Sequence, residues 1–278
     1  MLRVHEWGWW TVSGAQGGGV VMRAVSEGRS ALAGLGVVVT AGGTQQPLDD
    51  VRYIANASTG RFGARLAEEC LRRGAHVRYV HGRGALLPLR RRVEVDLSAG
   101  AEAAVAAVRA LPFECPPGTL CLYETRTVEQ VMTTLEALLT AGDQQVIIHA
   151  MAVSDYSAPA QIGKIASDHD ELTLRLRRTP KVIGYLKRWA PPIVQVGFKL
   201  LSGASDEQLH AAGLASGLAS GSDLTIANDL RRISAQHHPV LAIWPDGRST
   251  SLINEVERGV VDQIEQCLAQ RAALGDAP

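Results

Sequence analysis

Four short apolar runs in this sequence each lead into small and polar residues that could bind a ligand. These residues are Gly42-Gly43-Thr44, the segment from Ala150 through Met151 and Ala152 to Asp155, Gly197-Phe198-Lys199, and Ala227-Asn228-Asp229. Small residues let a ligand approach the backbone closely, while Asn, Asp and Lys supply hydrogen bonds and charge. Because ligands of open parallel sheets bind outside the carboxyl ends of the strands, these residues predict a binding site there.

A predicted helix over residues 62–73 begins next to residues that suit an anion. Free backbone N–H groups at a helix start bind phosphate or carboxylate, and nearby arginines add positive charge. The residues concerned are Ser58, Thr59 and Gly60, together with Arg52 and Arg61. Either Ser58 or Thr59 is the expected N-cap. An ordinary capped helix after a loop explains the same pattern, so both interpretations stay open at this level.

The glycines in these segments do not match two common nucleotide-binding motifs. Their spacing is neither the G-x-G-x-x-G fingerprint of dinucleotide-binding sheets nor the phosphate loop with Lys before Ser or Thr. Lysine is also scarce among the 28 basic residues of the whole chain. All the lysines lie between Lys164 and Lys199. A functional lysine therefore has few possible positions.

Strand and helix patterns alternate along most of the chain. β-Branched and apolar runs predict strands over residues 37–39, 76–80, 93–95, 146–148, 172–176, 193–198, 224–227 and 240–244. Periodic apolar positions predict helices over residues 62–73, 101–111, 128–139, 182–189, 206–218 and 254–269. This alternation indicates an α/β fold with a doubly wound, mostly parallel, Rossmann-like sheet.

The overall composition favours a globular protein and disfavours several other classes. Hydrophobic residues make up 46% and charged residues 20% of the 278 residues, which argues against disorder. A formal net charge of 0 disfavours nucleic-acid binding, and no apolar run approaches the roughly 18 residues of a membrane span. The cysteines match no metal or disulfide spacing and favour reduced thiols in the cytoplasm.

The first 35 residues differ from the rest of the sequence. They contain Trp7, Trp9 and Trp10 followed by a run of glycines, and they lack the pattern of a signal peptide. We interpret residues 1–35 as a flexible extension, or as the product of an upstream start codon with Met22 as the true start. A docking segment built on the tryptophans is the alternative. Residues 36–278 are expected to form one domain.

Five segments occur in the order and spacing of phosphopantothenate–cysteine ligases, and the chain resembles that family over residues 36–270. The segments are Thr40-Ala41-Gly42-Gly43-Thr44 with residues 47–63, Ala152-Val153-Ser154-Asp155-Tyr156, Gly163-Lys164-Ile165, Val196-Gly197-Phe198-Lys199-Leu200 and Ile226-Ala227-Asn228-Asp229. Many bacterial members carry a fused flavin-dependent decarboxylase domain that this sequence lacks. The resemblance therefore implies the standalone bacterial type.

The resemblance implies a two-step ligase reaction in coenzyme A biosynthesis. A nucleoside triphosphate, CTP in most bacterial relatives and otherwise ATP, activates the carboxylate of 4′-phosphopantothenate with Mg²⁺ and releases pyrophosphate. The amine of L-cysteine then displaces the nucleotide to give phosphopantothenoylcysteine. No side-chain nucleophile is needed, so the rate depends on positioning and charge neutralisation. A cytoplasmic homodimer and a separate decarboxylase for the next step are also implied.

The family motifs also imply roles for individual residues. Asn56 would contact the substrate carboxylate and the acyl intermediate, and Lys164 would reach the triphosphate from a mobile loop. Residues 154–171 would form a flap that crosses a dimer interface before the strand at 172–176. Substrate or nucleotide binding is implied for Gly42, Gly43, Thr44, Arg52, Ser58, Thr59, Gly60, Arg61, Ala150, Met151, Ala152, Asp155, Phe198, Lys199 and Asn228. The resemblance assigns no metal ligand.

The sequence departs from the family where two lysines usually precede the Asn-Asp strand end. Residues 214–220 contain no lysine. The residues that would have to compensate are Lys181, Lys199, Arg231 or Arg232. Two alternatives stay open: a non-catalytic or degenerate nucleotide-binding paralogue, and an NAD(P)-dependent oxidoreductase, which needs a glycine fingerprint and a following acidic residue. His149, at a predicted strand end, is expected to be buried and hydrogen-bonded rather than a catalytic base.

Overall fold

A computed structural model of the protein describes residues 3–4, 10–11, 30–90, 98, 100–110, 115–168, 170–234, 237–273 and 275. Most of the predicted N-terminal extension and the strand predicted at 93–95 lie outside the described residues. Within the extension, Arg3–Val4 pairs antiparallel with Trp10–Thr11. The interpretation of residues 1–35 as flexible or wrongly started stays a prediction.

The secondary structure alternates between strands and helices. In chain order the strands are β1 (Arg3–Val4), β2 (Trp10–Thr11), β3 (Gly36–Ala41), β4 (Gln45–Pro47), β5 (Tyr53–Ala55), β6 (His76–Gly82), β7 (Thr119–Thr125), β8 (Val146–His149), β9 (Tyr156–Ser157), β10 (Arg177–Arg178), β11 (Val194–Leu201), β12 (Leu224–Asp229), β13 (Val240–Ile243) and β14 (Ser249–Leu252). The helices are α1 (Arg61–Arg72), α2 (Ala101–Arg109), α3 (Val128–Thr140), α4 (Leu186–Trp189), α5 (Asp206–Ser220) and α6 (Val256–Ala273).

An eight-stranded sheet forms the centre of the fold, in the order β14-β13-β12-β11-β8-β3-β6-β7. The strands from β12 to β7 in that order run parallel, and β13 and β14 add an antiparallel edge. The prediction of a doubly wound, mostly parallel sheet is confirmed. Because parallel strands point the same way, their carboxyl ends meet at one end of the sheet, where the site is predicted.

Alternate side chains of β3 pack on opposite faces of the sheet. Val37 and Val39 belong to a core cluster that includes residues of α1 and α6, whereas Val38 belongs to a second cluster with α3 and α4. All six residues of β3 are buried. A strand covered by helices on both faces has this continuous apolar pattern. Burial of β3 fixes the position of the glycine turn that follows it.

Helix α1 begins differently from the prediction. It starts at Arg61 after Gly60, whose φ of 70° is left-handed, and no side chain caps its N-terminus. The predicted N-cap at Ser58 or Thr59 is therefore wrong. Glycine suits this position because a left-handed backbone is costly for residues with a Cβ atom. The first-turn N–H groups are consequently left without a side-chain cap.

The strand predicted at residues 172–176 is also wrong. Strand β10 lies just after this segment and pairs with β9, but residues 172–176 pair with no strand in the part of the chain that the structure describes. The alternating side chains of Leu172, Leu174 and Leu176 are exposed. Alternation alone predicts a half-buried strand, but a strand forms only where a neighbour offers backbone partners.

Other elements differ from the sequence patterns in smaller ways. The helix predicted over 182–189 is a 3₁₀ turn at Val182–Gly184 followed by the short α4. The sequence patterns miss β7, β14 and the hairpin of β4 with β5. Most residues of β7 and β14 are exposed or half-buried, so their apolar signal is weak. Among the described helices, none combines the length and apolar composition needed to cross a bilayer.

Candidate functional site

Glycines bring several chain segments into backbone contact after β3. Gly42 has a left-handed φ of 81°, and a Cβ atom at Gly43 would lie 2.5 Å from the carbonyl oxygen of Asn56. The loop after β8 joins the same turn, because the N–H of Ala152 donates to the oxygen of Gly42 at 2.8 Å and the N–H of Thr44 donates to Ala152 at 3.2 Å. A side chain at Gly43 would push the Asn56 segment away from this turn, and one at Gly42 would meet Ala85.

The start of α1 offers hydrogen-bond donors that the protein does not use. The N–H groups of Phe62 and Gly63 have no acceptor among the residues that the structure describes. The N–H of Arg61 reaches the hydroxyl of Thr59 only at 3.4 Å, and the neighbouring Ser58 is exposed. Open N–H groups at the positive end of a helix dipole form a site for an anion.

Asn56 joins the hairpin of β4 and β5 to the loop after β8. Its Nδ2 donates to the carbonyl oxygens of Val153 at 3.1 Å and Ala152 at 3.4 Å. The hydroxyl of Thr44 donates to that of Ser154 at 3.0 Å and accepts from the N–H of Ser154 at 2.9 Å. No described group donates to Oδ1 of Asn56, and the side chain is exposed, so this oxygen is available to a ligand.

Lys164 lies in a segment that is attached to the loop before β5. The N–H of Ile165 donates to Oδ2 of Asp49 at 3.0 Å, and the N–H of Gly163 donates to Oδ2 of Asp50, also at 3.0 Å. The Lys164 side chain is exposed and forms no ion pair or hydrogen bond with any described residue. The backbone of the predicted flap is therefore held on both sides of this lysine, while its ammonium group remains unpaired.

Arg52 holds the same segment rather than standing alone at the helix start. Its Nη2 donates to the carbonyl oxygen of Ile165 at 2.9 Å, and its Nε lies 3.7 Å from Oδ2 of Asp49. The backbone N–H groups of Ile165, Val51 and Arg52 and the charge of Arg52 lower the pKa of the Asp49 carboxyl group against the opposing effect of burial. Asp49 is thus an ionised anchor, and any role of Arg52 in binding stays a prediction.

Asp155 is paired with a basic residue on the next segment. Oδ1 of Asp155 accepts from Nζ of Lys181 at 2.6 Å, and both side chains are largely exposed. The hydroxyl of Thr179 donates to the carbonyl oxygen of Ser154 at 2.6 Å, and the N–H of Thr179 donates to that of Asp155 at 3.0 Å. These bonds position Lys181 next to the predicted nucleotide ligand Asp155.

The basic residues that could replace the missing helix lysines differ in their partners. Lys181 and Arg232 form ion pairs with aspartates. The guanidinium of Arg231 lies against Gly203. Lys199, half-buried on β11, has neither an ion pair nor a hydrogen-bond partner in the described ranges. Lys199 and Arg231 are therefore the two of these residues whose charge no described acidic side chain pairs with.

His149 is a structural residue at the end of β8. The hydroxyl of Thr40 accepts from the N–H of Met151 at 3.1 Å and shares a hydrogen bond with Nδ1 of His149, 3.0 Å away. The N–H of Ala150 bonds the carbonyl oxygen of Thr40 at 3.2 Å. Burial, with a smaller contribution from Lys181, lowers the pKa of His149 to about 4. The expectation of a buried, hydrogen-bonded histidine is confirmed.

An aromatic cluster adjoins the start of α1. The rings of Phe62 and Phe198 meet edge to face with centroids 5.9 Å apart, and the ring of His238 stacks on Phe62 at 4.2 Å. Nε2 of His238 lies 2.9 Å from Nδ2 of Asn228. Phe198 and Asn228 are predicted site residues, but sequence reasoning missed Phe62 and His238. Adjacent histidines at 237 and 238, shortly after the Asn-Asp strand end, were the available signal.

Residues 32–115 and 96–271 match the family described as DNA/pantothenate metabolism flavoprotein C-terminal domain. The chain belongs to this family. The coenzyme A biosynthesis bifunctional protein CoaBC of Thermococcus kodakarensis is 30% identical over 215 residues, covering 77% of this chain and 46% of that protein. Phosphopantothenate–cysteine ligase 2 of Oryza sativa subsp. japonica is 30% identical over 268 residues, covering 85% of this chain and 81% of that protein.

A solved structure of a protein from this family has the same fold as this chain. The DNA/pantothenate metabolism flavoprotein from Streptococcus pneumoniae is 26% identical with a TM-score of 0.68, covering 84% of this chain and 99% of that chain. The resemblance to phosphopantothenate–cysteine ligases is confirmed. The chain spans about half the length of the bifunctional relatives it matches.

The fold of this family member brings most of the predicted residues to one end of the sheet. A Cβ atom at Gly60 would lie 3.0 Å from the nitrogen of Gly42, so the helix start adjoins the turn after β3. Asn56 contacts the same turn through Gly43. Described residues bring no three His, Cys, Asp or Glu side chains together that could hold a metal ion. The site therefore combines backbone donors with single polar side chains.

Proposed function

We propose that this chain joins 4′-phosphopantothenate to L-cysteine at the expense of CTP or ATP and forms phosphopantothenoylcysteine. One observation carries the proposal: the open N–H groups of Phe62 and Gly63 adjoin the glycine turn that holds Asn56. A helix start suits a polyphosphate, and the open Oδ1 of Asn56 beside it suits a hydrogen-bond donor of the substrates, such as the attacking amine. The named ligase from rice, which matches over most of its length, supports the same reaction.

The first step is nucleotidyl transfer to the carboxylate. A carboxylate oxygen of 4′-phosphopantothenate attacks the α-phosphorus, an acyl–phosphate bond forms, and the bond to pyrophosphate breaks. The protein contributes charge neutralisation through the helix-start N–H groups and through Lys164 and Lys199, whose ammonium groups have no partner in the described residues. Positioning two anions side by side supplies the remaining acceleration.

The second step is attack by the amine of cysteine on the activated acyl carbon. The amide bond forms, the bond to the nucleoside monophosphate breaks, and the amine loses its proton. Asn56 suits this step because its Nδ2 is fixed by Val153 while its Oδ1 remains open to accept from the substrate. A rigid polar group of this kind aligns the reacting atoms without taking part in bond formation.

Magnesium would enter the site with the nucleotide. The described residues offer no cluster of three acidic or histidine ligands, and Asp155 is already paired with Lys181. These residues do not form a metal site of their own. Mg²⁺ usually binds through substrate phosphates with one or two carboxylates, and it would supply charge neutralisation there.

A homodimer is the assembly that fits the exposed apolar residues of the predicted flap and of the segment that follows it. Ile162 is fully exposed, and Leu172, Leu174 and Leu176 are 54%, 37% and 44% exposed in a segment without a strand partner in the described chain. A second copy that adds a strand to this segment would bury them. Light scattering should give a dimer, and serine at the three leucine positions should give a monomer; a monomeric wild type would reject the assembly.

The activity is tested by measuring pyrophosphate release from CTP and from ATP with phosphopantothenate and cysteine. The proposal predicts release that requires phosphopantothenate, and formation of the amide product that also requires cysteine. Omission of cysteine should leave the acyl-nucleotide detectable by mass spectrometry. Nucleotide binding without pyrophosphate release would instead identify the chain as a non-catalytic paralogue. The absence of lysine in residues 214–220 is the observation that favours this alternative.

Asn56→Asp sharpens the assignment of the second step. A carboxylate at this position would repel the substrate carboxylate and could not donate to Val153. We expect amide formation to fall at least about tenfold, because a charge-bearing acceptor replaces a hydrogen-bond donor in the site. Unchanged turnover would remove Asn56 from the mechanism.

A further inference from the structure

His238 contacts two parts of the proposed nucleotide site: Phe62 at the start of α1 and Asn228 near the end of β12. Its ring stacks on Phe62, with centroids 4.2 Å apart and planes 18° from parallel. Phe62 carries one of the open N–H groups at the start of α1, and its ring meets Phe198 edge to face. His238 therefore lies beside the residues that would hold the nucleotide, one ring away from the helix start.

The contact between His238 and Asn228 fixes the state of both side chains. Nδ2 of Asn228 lies 2.9 Å from Nε2 of His238. An amide nitrogen can only donate, so Nε2 accepts and the ring proton is on Nδ1. Asn228 is only 8% exposed, and no described group donates to its Oδ1. The acceptor oxygen of Asn228 is thus left for another molecule.

We propose that His238 is a positioning residue of the nucleotide site: it holds the amide of Asn228 so that Oδ1 accepts a hydrogen bond from the bound nucleoside, and it braces Phe62. This inference rests on the proposed ligase function. A nucleoside has two kinds of donor that could bond this acceptor oxygen. One is the exocyclic amine of cytosine or adenine, and the other is a ribose hydroxyl. Both sources share the chemistry that Asn228 would recognise, and different nucleotides distinguish them.

The charges around His238 keep its ring able to accept. Burial lowers the pKa of His238 below its ordinary value of 6.5; Glu257 opposes this shift, and Arg65 and Arg61 reinforce it. The ring is therefore neutral at pH 7. Protonation in acid would place a hydrogen on Nε2, which would then face the amide hydrogens of Asn228. The nucleotide site should consequently weaken as the pH falls.

Two substitutions separate the hydrogen bond from the ring contact. His238→Phe keeps a ring against Phe62 but removes the acceptor, whereas His238→Gln restores an acceptor oxygen for Asn228. With CTP or ATP, we expect His238→Phe to raise the nucleotide KM about tenfold with kcat within about twofold, the size of one lost hydrogen bond. His238→Gln should recover most of the affinity. Its KM should also stay flat as the pH is lowered, whereas the wild-type KM should rise once the His238 ring is protonated.

A double substitution tests whether His238 acts through Asn228. His238→Phe combined with Asn228→Ala should bind nucleotide no more weakly than Asn228→Ala alone, because effects transmitted through one contact are not additive. UTP, which lacks the exocyclic amine, and 2′-deoxy-CTP, which lacks one ribose hydroxyl, identify the donor. Whichever analogue binds more weakly than CTP to the wild type should lose that disadvantage in His238→Phe.

The outcomes distinguish this inference from the ligase assignment. A wild-type protein that releases no pyrophosphate contradicts the ligase, while calorimetric titration of the same variants with CTP still tests His238. Full additivity in the double variant, or equal KM values for wild type and His238→Phe in an active enzyme, overturns the positioning role. Where His238→Phe does not fold, the flat pH profile of His238→Gln against the wild type decides.

Discussion

Polar groups at the two ends of the central sheet differ in whether they have hydrogen-bond or ion-pair partners within the protein. At the amino ends, a cleft of about 420 Å³ is lined by residues of β6 and β7 and by Asp143. Its charged and polar groups pair with one another: Nδ1 of His76 bonds the hydroxyl of Thr119 at 2.8 Å, and Arg78 bonds Asp143. Groups paired in this way contribute to the fold and require no ligand.

The carboxyl end holds donors and cations that lack partners in the described chain. They are the N–H groups of Phe62 and Gly63 and the ammonium groups of Lys164 and Lys199. Unpaired polar groups cost free energy unless water or a ligand satisfies them, so they persist where binding requires them. The comparison indicates that donors and cations without partners, more than the presence of a cavity, distinguish the proposed functional end of this sheet from the other end.

Substitution of one cation at each end should have the largest and most unequal effect. Lys164→Gln should lower pyrophosphate release by about 10²- to 10³-fold, as expected for loss of a group that stabilises transition-state charge. Arg78→Gln at the amino-end cleft should leave the rate of pyrophosphate release within about twofold of the wild type. Arg78 pairs with Asp143 of the protein itself and so has no role in binding the nucleotide. Steady-state rates with CTP and phosphopantothenate measure both. Near-normal turnover of Lys164→Gln, or strong inhibition in Arg78→Gln, would reverse the comparison.

The glycine turn at the carboxyl end should be intolerant of a methyl group. Gly43→Ala would place a Cβ atom 2.5 Å from the carbonyl oxygen of Asn56 and push that segment away. We expect a loss of up to about 10²-fold in the rate, because a shift near 1 Å misaligns the reacting groups. Gly184→Ala is the matched control, since no described atom lies within 4 Å of the position that its methyl group would take. Equal rates for the two variants would show that the turn accommodates a methyl group without displacing Asn56.

Buried His149 should make the folded state sensitive to acid without serving the reaction. Its pKa falls from 6.5 to about 4 on folding, so the unfolded chain binds a proton that the folded chain rejects between these values. The free energy of unfolding should therefore fall as the pH drops through this window, by up to about 1.4 kcal/mol per pH unit. Urea titrations at several pH values measure the slope.

His149→Asn is the control for this stability prediction. Its side-chain amide carries both a donor and an acceptor, so it can bond the Thr40 hydroxyl in place of Nδ1 but does not titrate. The slope assigned to His149 should disappear from the variant. An unchanged slope would show that the acid sensitivity arises from other groups.

The smallest effect is expected at the amino-end ion pair. Asp143→Asn removes the partner of Arg78, but the side chains are 53% and 24% exposed, respectively. We expect the free energy of unfolding to change by less than about 1 kcal/mol, as for other exposed pairs. Chemical denaturation provides the measurement. A loss of catalysis in this variant would indicate that the amino-end cleft also contributes to function.

Sequence patterns predicted the parallel sheet because its strands are covered on both faces. Buried runs such as Val37–Val39 and Val146–Ile148 are unambiguous when helices alternate with them. Exposed strands escaped this reasoning, since β7 has few buried residues. Conversely, the alternating leucines at 172–176 predicted a strand that lacks a partner in the described chain. Periodicity reports burial and not the presence of a neighbouring strand.

The site could be predicted where it depends on short segments and not where it depends on distant contacts. Gly42, Gly43 and Asn56 fall within recognisable motifs, and the structure brings them into contact. The start of α1 was misassigned, because Gly60 adopts a left-handed conformation that displaces a Ser or Thr cap. The stacking of His238 on Phe62 joins residues far apart in the chain, and no local pattern encodes such a pair.

The amide chemical shifts of Phe62 and Gly63 test the central claim most directly. On addition of CTP with Mg²⁺, the account predicts large shifts of these two resonances, because phosphate oxygens would accept from N–H groups that have no acceptor in the described chain. The resonances of His76 and Arg78 should stay in place. Unmoved Phe62 and Gly63 signals at saturating CTP, with shifts confined to the amino-end cleft, would contradict the account.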